Sequence, residues 1–440
     1  MSIISKLNIT RSNYFSFILA LFPLSFIAGN MIINANIILL IFSTLILIGK
    51  QSFNIKYQLL DKLIISFFFL ILITGFANDY QTYVDRLWWK GYFSVILKSI
   101  YFLKYLMLYI FLRFLIENKI INLKLFFIFS SLGVLFVSLD VLYQYIFGQD
   151  IFGFETIGSG RKLGGPFGDE LIAGGYIQRF SLFVFFTLPL FFNYKDFKFI
   201  KFLIPILLII ILIGLIFSGN RMPLLLFLLI IFLISIFQKQ IRKFLIPFIS
   251  IFIIVFTLGF NFNKEIKTNF LIFFNEISKM TTIIINRDAI NEKSPQYIRE
   301  FATFYDTWLM NKYIGGGIKN FRYYCHVRPN LDKNSVFKCN MHPHNYYLEI
   351  LTETGLIGFI LISVIFTIIL YKTLYKKYFI KSALNDNVII IPFIFLFIAE
   401  IFPIKSTGSF FTTGNATYLF LIMALLIGIS EKYNSIDKRL

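Results

Sequence analysis

A chain of 440 residues that is 58% hydrophobic and 15% charged, with 58 phenylalanines and a mean hydropathy of +0.76, carries more apolar surface than a soluble domain can cover. Its formal net charge of +19 does not mark a nucleic-acid binder, because the basic residues are spread over many short loops and no single face concentrates them. The composition predicts an all-α polytopic membrane protein, one integral membrane domain over residues 1–440.

Crossing a hydrocarbon core of about 30 Å takes roughly 20 apolar residues. In chain order such runs fall near 13–29, 31–48, 62–78, 92–116, 124–147 and 171–193. Six more fall near 199–217, 221–237, 243–260, 345–371, 387–404 and 414–430, which predicts about twelve spans. The first run follows Lys6 and Arg11 and precedes no small-residue cleavage pattern, so it reads as a retained span.

Short loops rich in Lys and Arg stay in the cytoplasm. With the N-terminus inside, alternate gaps hold Lys50, Lys56 and Lys62; Arg113, Lys119 and Lys124; Lys195, Lys198 and Lys201; Lys239, Arg242 and Lys243. The last two hold Lys372, Lys376, Lys377 and Lys381, then Lys432, Lys438 and Arg439. The short outside gaps are balanced, with Asp79, Asp85, Arg86 and Lys90, or carry only Lys405. Both termini are therefore expected in the cytoplasm.

Two outside gaps are long. Residues 148–170 are glycine-rich and include Arg161 and Lys162. Residues 261–344 interrupt an otherwise compact bundle, and a connection of that length is functional or disordered. Apolar residues at helical spacing in YIREFATFYDTWLM, residues 297–310, predict short packed helices forming a cap.

The candidate chemistry collects in this cap. Arg299, Trp308 and the glycines Gly315, Gly316 and Gly317 come first; His342, His344 and Asn345 follow where polar loop gives way to the apolar run 345–371. Arg221, in SGNRMPLL at the outer end of the eighth span, can reach the same vestibule. Arginine is a planar fork of donors that stays charged and matches phosphate oxygens two at a time. Two arginines near an imidazole able to be neutral point to a phosphate-bearing substrate and proton transfer.

Plainer roles stand beside these. Arg221 could anchor a helix end among headgroups, where arginine is cheap, and Arg299 could pair with Glu300 or Asp306. The triple glycine could be a turn between cap helices; glycines that cradle phosphate need a following helix N-terminus. Cys325 and Cys339 offer a disulfide in an oxidising compartment. With His326 and His342 they offer four zinc ligands instead, although the spacing fits no zinc pattern. Lys98, Lys104, Asp140, Arg179 and Glu400 fall inside predicted spans, where they should face the bundle interior, either pairing to fix packing or lining a wet path.

His344-Asn345, nine residues, then Gly355-Leu356-Ile357-Gly358 resembles the His-Asn-(nine residues)-Gly-x-x-Gly signature of the O-antigen ligase family and its relatives, the O-antigen polymerases. Phe359 stands where the ligase version has a final glycine, a departure that weakens ligase relative to polymerase. Other segments fit the same pattern: Arg221 after Ser-Gly-Asn, Arg299 followed by Trp308 and Gly315-x-Gly317, DVLYQYIFGQDIFG leading to Arg161, and FPIKSTGSFFTTGNA at 402–416. The likeness spans roughly residues 140–430.

This resemblance implies a metal-independent, cofactor-free glycosyltransferase of the GT-C type in the bacterial inner membrane, working at the periplasmic face. Its donor would be a glycan on undecaprenyl diphosphate. Its acceptor would be lipid A core in a ligase and another lipid-linked repeat unit in a polymerase. His344 would then be the catalytic base, favoured over His342 because it adjoins Asn345 at the start of the tenth span, whereas His342 lies beyond the stiff Pro343. Arg221 and Arg299 would hold the diphosphate, with Arg161, Asn345 and His342 in support, Arg161 and Lys162 being otherwise ordinary loop charges. Two other classes stay open. A transporter also has many spans with buried charges, but commonly shows two similar halves, which this chain with its one large cap does not. A nonenzymatic envelope scaffold would tolerate changes at Arg221, Arg299 and His344.

Overall fold

The computed structural model describes residues 10–84, 94–156, 162–191, 197–286, 290–291, 294–327, 339, 342–380, 384, 387–406 and 408–437. The first seven helices are α1 (Arg11–Ala28), α2 (Asn30–Leu47), α3 (Leu59–Val84), α4 (Ser94–Glu117), α5 (Lys124–Phe147), α6 (Ala173–Phe191) and α7 (Phe197–Phe217). The next three are α8 (Arg221–Phe237), α9 (Leu245–Phe262) and α10 (Lys264–Asn286). The last four are α11 (Gln296–Trp308), α12 (Tyr346–Leu370), α13 (Ile390–Glu400) and α14 (Thr413–Asp437).

Each predicted span coincides with a helix, but the helices differ in kind. Eight are long and apolar enough to cross a membrane: α1 to α5, α9, α12 with its extension to Tyr378, and α14. The protein is a multi-pass membrane protein. Leu203–Phe217 within α7, together with α8 and α13, forms a set of shorter apolar helices, and α6 carries Arg179 in mid-helix. α13 has 11 residues, about half the length a hydrocarbon core needs; it stops at Glu400, a carboxylate that belongs to a polar cluster and not to lipid.

α14 is the centre of the bundle, with 83% of its apolar window buried, whereas α9 at 11% is a rim helix. Phe102, Tyr105 and Phe410 pack their rings around Phe420 of α14. In the 261–344 segment the expected short helices are α11 and the single turn Phe321–Tyr324, but α10 runs for 23 residues. Only its start is packed, with Ile266, Asn269 and Phe270 buried, while Phe274, Ile284 and Ile285 farther along are exposed.

Candidate active site

His344 has a φ of 53°, left-handed and uncommon for a residue with a side chain. The next residue ends that excursion. Asn345 is the N-cap of α12, its Oδ1 accepting from Tyr347 N at 3.0 Å and Leu348 N at 3.2 Å. Its Nδ2 donates to the Pro403 carbonyl at 2.7 Å. Tyr346 donates its hydroxyl to Glu400 Oε1 at 2.6 Å and Tyr347 donates to the Ile401 carbonyl at 2.5 Å. Three successive side chains after His344 thus tie the start of α12 to residues 400–403. One turn on, Glu349 accepts from the Ser409 hydroxyl and from Phe410 N. The α13–α14 turn is therefore a platform bonded to the first two turns of α12.

Glu400 is the hub of that platform. Fully buried, it accepts from Arg179 Nη2 at 2.8 Å and Nε at 3.2 Å and pairs with Lys405 Nζ at 2.7 Å. Arg179 comes from α6; it also donates to Asn415 Oδ1 at 2.5 Å, and its guanidinium lies over the Tyr418 ring at 4.9 Å. Burial pulls the Lys405 ammonium down to about 7 despite the attraction of Glu400. Of the charges inside predicted spans, Arg179 and Glu400 pair with each other, Lys104 donates to Asn34 Oδ1 at 2.6 Å, and Asp140 accepts from Ile151 N at 2.9 Å.

α12 is not one continuous helix. Gly355, at φ 67° and ψ −171°, breaks it after residue 354, in a region that only glycine occupies comfortably. The break leaves backbone groups unpaired, and residues 312–317 satisfy them. Gly316 N and Gly317 N donate to the Thr352 and Glu353 carbonyls at 2.9 and 2.8 Å, while Leu356 N and Ile357 N donate to the Lys312 and Tyr313 carbonyls at 2.8 and 3.2 Å. The triple glycine is thus neither a simple turn between cap helices nor a phosphate cradle; it is the strip that docks on a broken helix. A Cβ on Gly315, itself at φ 72°, would stand 2.5 Å from Gly355 N, and one on Gly355 would run into the Tyr313 carbonyl. Gly355→Ala is accordingly expected to destabilise the protein on the order of 3 kcal/mol, read as a lowered melting temperature. Gly175→Ala, which meets nothing within 4 Å, should melt like the wild type; equal melting of the two variants would refute the docking role.

The other predicted residues fall as follows. The His342 and His344 rings touch, centroids 4.4 Å apart. Burial first, and then the charge of His344, hold His342 down to about 4 from 6.5. Between those values the unfolded chain binds a proton that the folded chain does not, so His342 makes stability decline as pH falls through that window. His342→Gln should flatten the fall in melting temperature between pH 6.5 and about 4; an unchanged slope would remove His342 as its source.

Arg221 opens α8, donating to the Asn269 carbonyl at 3.2 Å, with its guanidinium 5.1 Å from the Phe273 ring centre. The residue before it, Asn220, accepts from Gly174 N at 3.0 Å and donates to the Leu171 carbonyl at 3.1 Å, so the Ser-Gly-Asn-Arg stretch joins α6, α8 and α10. Arg299 lies on α11, which packs on α12; its Nε is buried without a hydrogen-bond partner among the described residues. The sequence alternative of an Arg299 pair with Glu300 or Asp306 does not hold among these residues, because Glu300 accepts from Gln296 at 2.6 Å instead. Neither arginine bonds to His344 among the described residues, and Arg161 lies outside them. Trp308 donates to the Lys312 carbonyl at 3.0 Å, helping hold the strand of chain that reaches the triple glycine. Cys325 and Cys339 form a disulfide across 14 residues, beneath the stacked rings of Phe304 and Phe321. Bonded sulfurs are not thiolates, so the zinc alternative loses two of its four ligands.

The described residues thus give an imidazole at a helix start on a bonded platform, with Arg299 on the adjoining α11 and Arg221 at the start of α8 against α10. Residues 206–363 match the O-antigen ligase family model. The matched O-antigen ligase region encloses Arg221, Arg299, His342, His344, Asn345 and the break at Gly355, and it supports an O-antigen ligase or polymerase type of function in general. No curated protein matches the chain. The Arg179, Glu400 and Lys405 cluster lies outside the matched O-antigen ligase region. Sequence reasoning noted the charges of Arg179 and Glu400 in spans and Lys405 alone in its gap, but missed Tyr346; an ionisable residue in a span with no partner nearby in sequence was the available signal.

Proposed function

We propose that the chain is an O-antigen ligase-like membrane glycosyltransferase, moving a glycan from undecaprenyl diphosphate to lipid A core at the periplasmic face of the inner membrane. The observation that carries the proposal is His344, which lies inside the region that matches the ligase family and is set by the Asn345 cap and, from outside that region, by the platform of residues 400–410. His344 takes the proton of the acceptor hydroxyl as its oxygen bonds to the anomeric carbon. The bond from that carbon to the diphosphate oxygen breaks, and undecaprenyl diphosphate leaves with the electron pair. Arg221 and Arg299 hold the departing diphosphate, each hydrogen bond to the charge contributing about 1.5–3 kcal/mol. Arg161, Asn345 and His342 support the site, and no metal or cofactor takes part in this scheme.

Phe359 favours a second reading, an O-antigen polymerase that extends lipid-linked repeat units. In place of the ligase glycine it fills one wall of an apolar groove of about 700 Å³ with Tyr347, Phe366 and Phe402. The test is transfer in proteoliposomes, with lipid A core and a lipid-linked repeat unit offered separately. Product on lipid A core supports the ligase and lengthened lipid-linked chains the polymerase. A folded protein that transfers to neither acceptor, yet moves lipid-linked glycan between leaflets, would replace both with a transporter.

A further inference from the structure

α14 starts beside Glu349 and Phe410 and ends at the opposite end of the bundle from His344. There α4, α5 and α14 leave a cavity of about 400 Å³ that no part of the proposed reaction uses. Three lysines line it from three separate elements: Lys119 in the turn after α4, Lys124 in the first turn of α5, and Lys432 near the end of α14. Phe127, Ile389 and Ile429 supply an apolar wall. No carboxylate is among the described residues that line it.

The backbone accepts a cost to place one of these lysines. Lys119 has a φ of 59°, and Ile120 N reaches back to the Leu115 carbonyl at 2.9 Å. That is the helix ending in which glycine is usual and any side chain is disfavoured. A lysine there lines the cavity together with Lys124 and Lys432. Cations gathered from three elements beside an apolar wall, at a bundle end, complement a ligand that is anionic at one end and hydrocarbon at the other.

We propose that this cavity binds an acidic phospholipid, its headgroup phosphate on Lys119, Lys124 and Lys432 and the first part of its acyl chains on Phe127, Ile389 and Ile429. Soluble phosphate shares the charge but not the hydrocarbon, and a general basic rim shares the lysines but not the cavity, so the experiment separates all three.

The full-length protein in a neutral detergent is titrated with phosphatidylglycerol and with phosphatidylcholine, and bound lipid is counted by native mass spectrometry. The wild type should prefer phosphatidylglycerol. Each Lys→Gln change at the three positions should weaken its binding about fivefold, and the triple variant Lys119→Gln, Lys124→Gln, Lys432→Gln should show no preference. A matched triple variant at the same end, Lys50→Gln, Lys56→Gln, Lys62→Gln, should keep it. Should the first triple variant fail to fold, Lys432→Gln alone carries the test. Retained preference in the cavity variants, equal loss in the matched triple, or displacement of phosphatidylglycerol by inorganic phosphate would each overturn the proposal.

Discussion

Alanine at His344 is expected to slow glycan transfer about 10²–10⁴-fold, the usual contribution of a positioned base, with the melting temperature nearly unchanged. The fold owes this side chain little. It is half-buried, its ring touches that of His342, and it makes no hydrogen bond among the described residues. The capping of α12 belongs to Asn345, and the left-handed backbone, which histidine adopts more readily than alanine, adds only a small cost to the variant. The loss should therefore fall on kcat, with KM for the lipid donor held by Arg221 and Arg299, and added imidazole should restore part of the rate. Full activity of His344→Ala would sink the assignment, and a loss confined to His342→Ala would move the base by two residues.

Glu400→Ala should cost about 3–5 kcal/mol of stability, the range found when one partner is removed from a buried charge cluster. Glu400 is the carboxylate on which Arg179, Lys405 and Tyr346 all converge, and no bonded neighbour among the described residues replaces it. Its loss leaves Arg179 with Asn415, the Tyr346 hydroxyl and the Tyr418 ring, and leaves Lys405 beside that same hydroxyl. Tyr346→Phe is the milder companion, since it removes the short bond to Glu400 and two long ones accepted from Arg179 and Lys405 at 3.4 Å, and keeps the ring against Phe410; it should cost about 1–2 kcal/mol. Thermal unfolding of the purified protein decides it. If Glu400→Ala unfolds within about 1 kcal/mol of the wild type, the cluster does not hold the platform.

The apolar runs were legible because a membrane span is a property of about twenty consecutive residues. Yet α13 ends early at Glu400 and α12 is broken at Gly355, since in both places a tertiary bond replaces continuation of a helix. Gly315, Gly317 and Gly355 were visible as glycines but not as partners. Their roles, one strip of backbone lying on another, exist only once residues 312–317 and 352–357 meet. Arg299 shows the reverse limit: Glu300 and Asp306 stood near in sequence, and Glu300 bonds to Gln296 instead.

By itself the sequence determined that this is a multi-pass membrane protein, with the His344–Asn345 pair at the start of an apolar run and with its bases distributed over the short loops. These follow from run length, local spacing and residue type, which need no partner. Only the tertiary structure decided what holds that pair. Arg179 reaches Glu400 across 221 positions and Tyr346 reaches it across 54, and three lysines from separate elements meet at one cavity. A buried charge or a broken helix must find its partner wherever the packing brings one, because the membrane interior offers no water in its place.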